Sequence, residues 1–184
     1  METTDNLDDL RCTLKSLQDR QDILDCIVRE ARGRDRQDSE MITGCYWEDG
    51  GDEHGPSVIP ASEYAAWANA GHAAFFCATS HNITNHSCEI DGDTAYCETY
   101  VVGFLLSKNQ QNCKIAPGRY IDQMERRNGE WRIKNRRTIV DMACEGDARW
   151  LHSGAMKGFL KGLWSREDPS YKRPVAPVAG EQRW

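Results

Sequence analysis

No stretch of this 184-residue chain approaches the ~18 consecutive apolar residues that a membrane-spanning helix requires, so no such helix is expected. Basic charge is scarce as well. The 23 Lys and Arg stand against 29 Asp and Glu, a net charge of −6, and without clustered cations a nucleic-acid role is not expected. Met1 to Leu10 is acidic and has no apolar segment behind basic residues, so no secretory leader is expected and the reading is cytoplasmic. Cys-x-x-Cys pairs are missing although there are eight cysteines: Cys12, Cys26, Cys45, Cys77, Cys88, Cys97, Cys113 and Cys144. That removes the spacing of structural zinc and, in a reducing compartment, leaves free thiols acting as small core hydrophobes. His-x-His and His-x-x-x-His pairs are absent too, and no metal or cofactor is expected.

What is present is a chain polar overall yet 39% hydrophobic, enough for one core at this length. Leu7, Leu10, Leu14, Leu17, Leu24, Ile27 and Val28 recur at helical spacing and predict an amphipathic helix over residues 6–31, ended by Gly33. Asp35 is expected to cap a short second helix to about Thr43, with Asp38 completing a capping box. A strand over 45–54 meets the turn-rich Asp49-Gly50-Gly51-Asp52, and Pro60 with Ser62 opens a third helix whose inner face is Tyr64, Trp67, Ala70, Ala74 and Phe75.

After Ser80 the period changes. Residues 81–90, 94–107, 117–127 and 130–141 read as four long strands, the last two joined by Asn128-Gly129, a strong hairpin signal. Helices first and an antiparallel meander second predict an α+β fold over residues 1–144. Polar residues such as Asn85, Glu98, Arg119, Asp122, Asn135 and Arg137 interrupt both faces of the strands, the pattern of a sheet that lines a cavity or of one with wet edges. Residues 145–184 differ: Trp150 to Trp164 holds a helical pattern, and Asp168 to Trp184 is Pro-rich and basic, expected to lie extended across a neighbour or to be disordered.

Taken singly, the candidate residues have bland explanations. His81, in Ser80-His81-Asn82-Ile83, reads as a core or surface histidine, and Asp35 as a helix cap flanked by arginines. Their joint context adds meaning. Gly33-Arg34-Asp35-Arg36-Gln37-Asp38, Cys45-Tyr46-Trp47-Glu48-Asp49, Ser80-His81-Asn82-Ile83, Ile90-Asp91-Gly92-Asp93, Gly118-Arg119-Tyr120-Ile121-Asp122 and Asn128-Gly129-Glu130-Trp131 occur in order. This set resembles the SnoaL-like branch of the cone-shaped, NTF2-like α+β superfamily over residues 10–142.

The resemblance implies a cone-shaped barrel of helices on a curved mixed or antiparallel sheet. It also implies a cofactor-independent lyase in which an Asp–His dyad, here Asp35 and His81, abstracts a proton, with C–O cleavage (dehydration) or formaldehyde-releasing C–C cleavage. Isomerases or cyclases and non-catalytic small-molecule binding modules of the same superfamily are the alternatives. In some members an arginine on the last strands assists the leaving group. Arg119 and Arg137 are the candidates, Arg137 being in phase with Trp131 and Ile133, and a bulge would promote Arg136 instead. Where members carry a lysine or tyrosine about one turn before the aspartate, this chain has Glu30, which disfavours lysine-assisted halide elimination. Glu30 would be a second acid/base group or a partner for an arginine. Tyr46, Trp47, Tyr100, Phe104 and Tyr120 are expected to shape a site for a small hydrophobic, aromatic substrate, and members commonly assemble as homodimers or homotrimers through the sheet.

Overall fold

The computed structural model describes residues 2–177 and 180–184; Met1, Val178 and Ala179, the last two within the stretch expected to be extended, lie outside the described residues. The chain begins with α1 (Glu2–Arg36), which outruns the expected 6–31 at both ends. Gly33 does not end it. A Cβ there would stand 2.8 Å from Ile42 Cγ1, so the glycine allows the next helix to pack close. Termination comes four residues later, where Gln37 adopts φ 56°. The Asp38 N–H then reaches back to the Gly33 carbonyl (2.9 Å) and the Gln37 N–H to that of Arg34 (3.3 Å), a Schellman closure. Asp38, not Asp35, is therefore the cap of α2 (Ser39–Thr43), its carboxylate accepting from the Met41 N–H at 3.1 Å. This one-turn extension carries Arg34 and Asp35 into the last turn of α1.

The apolar residues of α1 divide between two faces. Ile23, Cys26, Ile27 and Ala31 are buried against the sheet together with Glu30 and Arg34, whereas Leu7, Leu10, Leu14, Leu17 and Val28, expected on the same inner face, are exposed.

Strand β1 (Tyr46–His54) contains the Asp49-Gly50-Gly51-Asp52 run expected to turn. Four residues, Trp47 to Gly50, bulge there against the single residue Lys134 of the partner strand. The reversal into β2 (Ser57–Pro60) is made instead at Gly55, with φ 62°. Helix α3 (Ala61–Phe75) buries Ala61, Tyr64, Ala65 and Ala68, while Trp67 and Phe75 remain exposed, so its inner face is narrower and smaller than expected. Pro60, not Ser62, occupies its cap.

The long strands are β3 (Phe76–Asp91), β4 (Thr94–Ser107), β5 (Asn112–Arg127) and β6 (Glu130–Val140). Asn128 and Gly129 close the last hairpin with φ 54° and 84°, as their sequence required. The sheet runs β2-β1-β6-β5-β4-β3, and β7 (Cys144–Asp147) adds to the free start of β5. Only the β1–β6 pairing is parallel, so the sheet is mixed, and it does not close. The architecture is the expected α+β arrangement of three helices on one large sheet, open rather than a closed barrel.

The β5–β6 ladder carries a second irregularity that matters for the site. Met124 faces Ile133 while Gln123 faces Asn135, so Lys134 is an extra residue on β6. The bulge reverses the facing of everything after it. Arg136 points inward and is buried, and Arg137 points out, its side chain 69% exposed and ion-paired with Glu53 at 2.6 Å. The expectation that Arg137 faces inward is corrected accordingly. Gly50 is what lets the two bulges nest, because a Cβ there would lie 2.3 Å from the Lys134 carbonyl oxygen. Gly50→Ala is expected to destabilise the fold by ~1–3 kcal/mol, measured by urea denaturation.

Beyond β7 the expected helix over 150–164 is not formed. Only Arg149–His152 makes a 3-10 turn. Glycines at 154, 158 and 162 punctuate the segment, each costing a helix ~1 kcal/mol, and Gly158 sits at φ 93°. The described tail folds back on its own chain. Leu160 pairs with Arg183, the Tyr171 hydroxyl donates to Asp38 (2.7 Å), and Asp168 lies 3.4 Å from Arg36. All eight cysteines are free, and Cys26, Cys45, Cys88 and Cys97 are buried, as packing thiols should be.

Candidate active site

The last turn of α1 and the middle of β3 meet at Asp35 and His81. Asp35 clamps the histidine twice: Oδ2 accepts from the His81 backbone N–H at 2.7 Å, and Oδ1 lies 2.6 Å from the ring Nδ1. A carboxylate can only accept, so this contact places the imidazole proton on Nδ1. Nε2, with no protein partner among the described residues, is left for a cavity of about 110 Å³ that His81 lines.

Arg34, His54, His72 and Tyr120 make up the polar side of that cavity with His81; Val101, Leu105 and Ile139 contribute to its apolar wall.

Electrostatics favour a neutral imidazole beside an ionised carboxylate. Burial, and then the nearby Arg34 cation, push His81 below its ordinary 6.5, although Asp35 works against them. Burial would raise Asp35, but the hydrogen bonds and charge of His81 outweigh it and hold the carboxyl below 3.8. His72 stacks on His81 with ring centroids 5.5 Å apart and is driven down to about 3, chiefly by burial and then by Arg34. The unfolded chain therefore binds protons below pH 6.5 that the folded His72 and His81 refuse. Stability is expected to be present above pH 6.5 and to decline as pH falls toward about 3, by up to ~1.4 kcal/mol per pH unit for each such proton. Urea midpoints measured across that range check this, and His72→Gln should flatten the decline.

Beneath the dyad lies a buried ion network. Arg136 binds Asp122 through two hydrogen bonds (2.7 and 2.8 Å) and Glu30 through a third (2.6 Å), with its guanidinium 4.0 Å from the Tyr120 ring centroid. The second oxygen of Glu30 lies 3.0 Å from Arg34 Nε, and Arg34 also donates to the Tyr120 hydroxyl. Two carboxylates thus face two guanidiniums in a fully buried setting, and the arrangement fixes Arg34 at the cavity. On the other flank, the Tyr46 hydroxyl donates to Asp52 (2.8 Å), whose second oxygen lies 3.6 Å from Nδ1 of His54.

Of the residues singled out in the sequence, His81 and Tyr120 line the cavity, Asp35 stands behind His81 and holds it, and Glu30 supports the site as a partner for two arginines. The others do not line it. Tyr46 is buried in the core below. Trp47 donates to the Glu125 carbonyl (2.9 Å) beneath Arg127 and Arg132. Tyr100 and Phe104 stand on the opposite sheet face, because Thr99, Val101 and Gly103 alternate inward between them. Arg119 alternates outward between Gly118 and Tyr120 and is held by Asp141 (2.8 Å) and Glu98 (3.0 Å). Arg34, His54 and His72 are the residues that the sequence did not single out, whereas Arg136 is the arginine that a bulge was expected to promote, and the bulge at Lys134 does so. Arg34 had a usable signal, since it stands four residues after Glu30 and seven after Ile27 on the inner face of α1. Apart from the cavity, His86, Cys88 and Cys97 bring one donor atom each within 4.8 Å of one another on facing positions of β3 and β4, a grouping that linear spacing conceals.

Helices packed on an open mixed sheet, with an aspartate-held histidine at an internal cavity, define the class. Residues 15–137 match the SnoaL-like domain family, and the chain belongs to it, within the NTF2-like superfamily. No functionally curated protein matches in sequence. Among solved structures, a scytalone dehydratase candidate from Novosphingobium aromaticivorans is 20% identical, covering 72% of this chain and 90% of its own, with a TM-score of 0.66. A type 2 hexachlorocyclohexane dehydrochlorinase (LinA) is 18% identical over 73% of this chain and 93% of its own, TM-score 0.67. An aspartate-to-asparagine variant of a Mycobacterium tuberculosis protein of unknown function is 28% identical over 70% and 75%, TM-score 0.63. For the dehydratase and the dehydrochlorinase the likeness is one of fold. Among the described residues no helix is long and apolar enough to cross a membrane.

Proposed function

We propose that the protein is a cofactor-independent lyase acting on a small hydrophobic, aromatic substrate. The observation that carries this reading is the double clamp of Asp35 on His81 at the cavity wall, which leaves a neutral imidazole with Nε2 free. In a dehydration, Nε2 takes a proton from carbon, the released electron pair forms the new double bond, and the C–O bond breaks. The hydroxide leaves with a proton returned by the imidazolium, so the base is reset. In the C–C variant Nε2 takes the proton of a primary hydroxyl, and the oxygen's electron pair forms the C=O bond of formaldehyde as the C–C bond breaks. The pair left on the neighbouring carbon takes the proton back from the imidazolium. Asp35 stabilises the transient imidazolium in either case. Arg34 and the Tyr120 hydroxyl it holds supply positive potential where a leaving or carbonyl oxygen would develop charge. His54, on the far flank with Asp52 3.6 Å from its Nδ1, adds a further polar group to the cavity lining. The apolar wall and the structural likeness to dehydratase and dehydrochlorinase folds support the substrate and reaction class.

The test is a mass-resolved screen of aryl alcohols and diols against wild type and His81→Ala. Loss of water or formaldehyde with wild type only is expected. A product of unchanged mass would point to an isomerase or cyclase, and binding without turnover to a binding module; each would overturn the lyase reading.

A further inference from the structure

The outward face of α1 has a pattern that the single-chain fold leaves unused. Leu7, Leu10, Leu14, Leu17, Gln21, Leu24 and Val28 are spaced alternately by three and four residues, a 3.5-residue repeat sustained over three heptads. At 100° per residue this stripe lies on the side of α1 opposite Ile23, Cys26, Ile27, Glu30 and Arg34, which pack on the body. Its members are open to solvent: Leu7, Leu10, Leu14 and Leu17 are each more than half exposed. A stripe of four exposed leucines at coiled-coil spacing, spanning roughly 30 Å with Val28, needs a helix of the same period to cover it. Among the described residues this chain offers none, because α2 has 5 residues and α3 has 15 with its apolar face already buried.

We propose that α1 pairs with α1 of a second copy of this chain as a parallel, in-register two-stranded coiled coil, with the two cavity-bearing bodies on the outer sides. The flanking chemistry selects both the partner and the orientation. In register, the single polar residue of the seam, Gln21, meets its own symmetry mate and can hydrogen-bond to it; in an antiparallel pairing centred between Leu14 and Leu17 it would be buried against Leu10. Arg20 and Asp25 flank the seam at the positions that approach each other across a parallel pair. One Arg20 N–H donates to the Cys88 carbonyl of its own chain (2.8 Å), and the remaining ones would give each dimer two opposite-charge contacts. Asp25 is exposed in the single chain and holds only the neighbouring Gln21 amide (2.7 Å). Each seam position would meet the same position of its partner, the self-complementarity that a two-fold interface requires.

Light scattering on size-separated full-length protein tests this. Wild type is expected to be a dimer at micromolar concentration, and Leu10→Asp/Leu14→Asp a monomer with unchanged thermal unfolding of the body, since neither residue touches the core. A monomeric wild type would overturn the proposal. So would a dimer that survives the double substitution, because another face would then hold it. Leu17→Cys, oxidised with diamide, is expected to give a covalent dimer beyond the wild-type background; a persistent dimer that does not cross-link would overturn the parallel orientation. Sedimentation of wild type, but not of the double variant, with neutral phosphatidylcholine vesicles would assign the stripe to a membrane surface instead.

Discussion

Arg136→Ala is expected to cost ~3–5 kcal/mol in unfolding free energy, enough to leave a domain of ordinary stability largely unfolded at 37 °C. The reason is the number of charges it would strand. Glu30 and Asp122 are fully buried, and both lean on this one guanidinium. Burial raises Asp122 above its ordinary 3.8 even with Arg136 in place. Without the arginine, Asp122 would take up a proton or stay charged at greater cost, and Glu30 would be left with Arg34 alone. Arg136→Ala/Asp122→Ala should recover part of the loss, because it removes one stranded partner. Arg137→Ala, next in sequence but on the solvent side, should be indistinguishable from wild type in the same urea titrations. A matched loss at both positions would mean that the Lys134 bulge is not where the structure puts it.

The second large effect is on rate. Asp35→Asn is expected to lower kcat by ~10²–10⁴ with little change in fold stability, and His81→Ala by a similar factor. Asparagine can present an amide N–H to Nδ1, which would hold the proton on Nε2, the atom that must accept one. It also cannot stabilise the imidazolium. The double variant should be no slower than the worse single one, since the two residues act as a unit. Wild-type activity should fall on the acid side as pH drops through the depressed His81 value. In Asp35→Asn that limb should move to still lower pH, because burial and Arg34 then act on His81 with only the Glu30 charge against them. Steady-state rates across pH 4 to 8 on any substrate found in the screen check both statements.

Much of this was legible in the residues. The β3–β6 meander follows from its alternating strands, and Asn128-Gly129 closes the last hairpin because both positions need positive φ. The Asp35–His81 pair was legible only through ordered motifs, since a lone aspartate between arginines looks like a cap. What escaped is instructive in physical terms. Gly33 reads as a stop, but here its missing side chain serves the close approach of Ile42. One extra residue at Lys134 inverts the facing of Arg136 and Arg137, and nothing local in Trp131-Arg132-Ile133-Lys134 announces a bulge set by the neighbouring β1. The leucines of α1 and its buried isoleucines both satisfy helical spacing, so periodicity alone merged two faces into one. Tyr100 and Phe104 have the residue type of a cavity lining, but strand alternation puts them outside.

Proton abstraction at the cavity requires His81 to be neutral at physiological pH, with its proton on Nδ1 facing Asp35 and Nε2 free. Two-bond proton–nitrogen correlation spectra of ¹⁵N-histidine-labelled protein, recorded between pH 4 and 8, test this without a substrate. The predicted result is a neutral, Nδ1-protonated tautomer at pH 7 and a titration midpoint below 6.5 that rises no higher at any salt concentration. An imidazolium at pH 7, or a proton resident on Nε2, would contradict it.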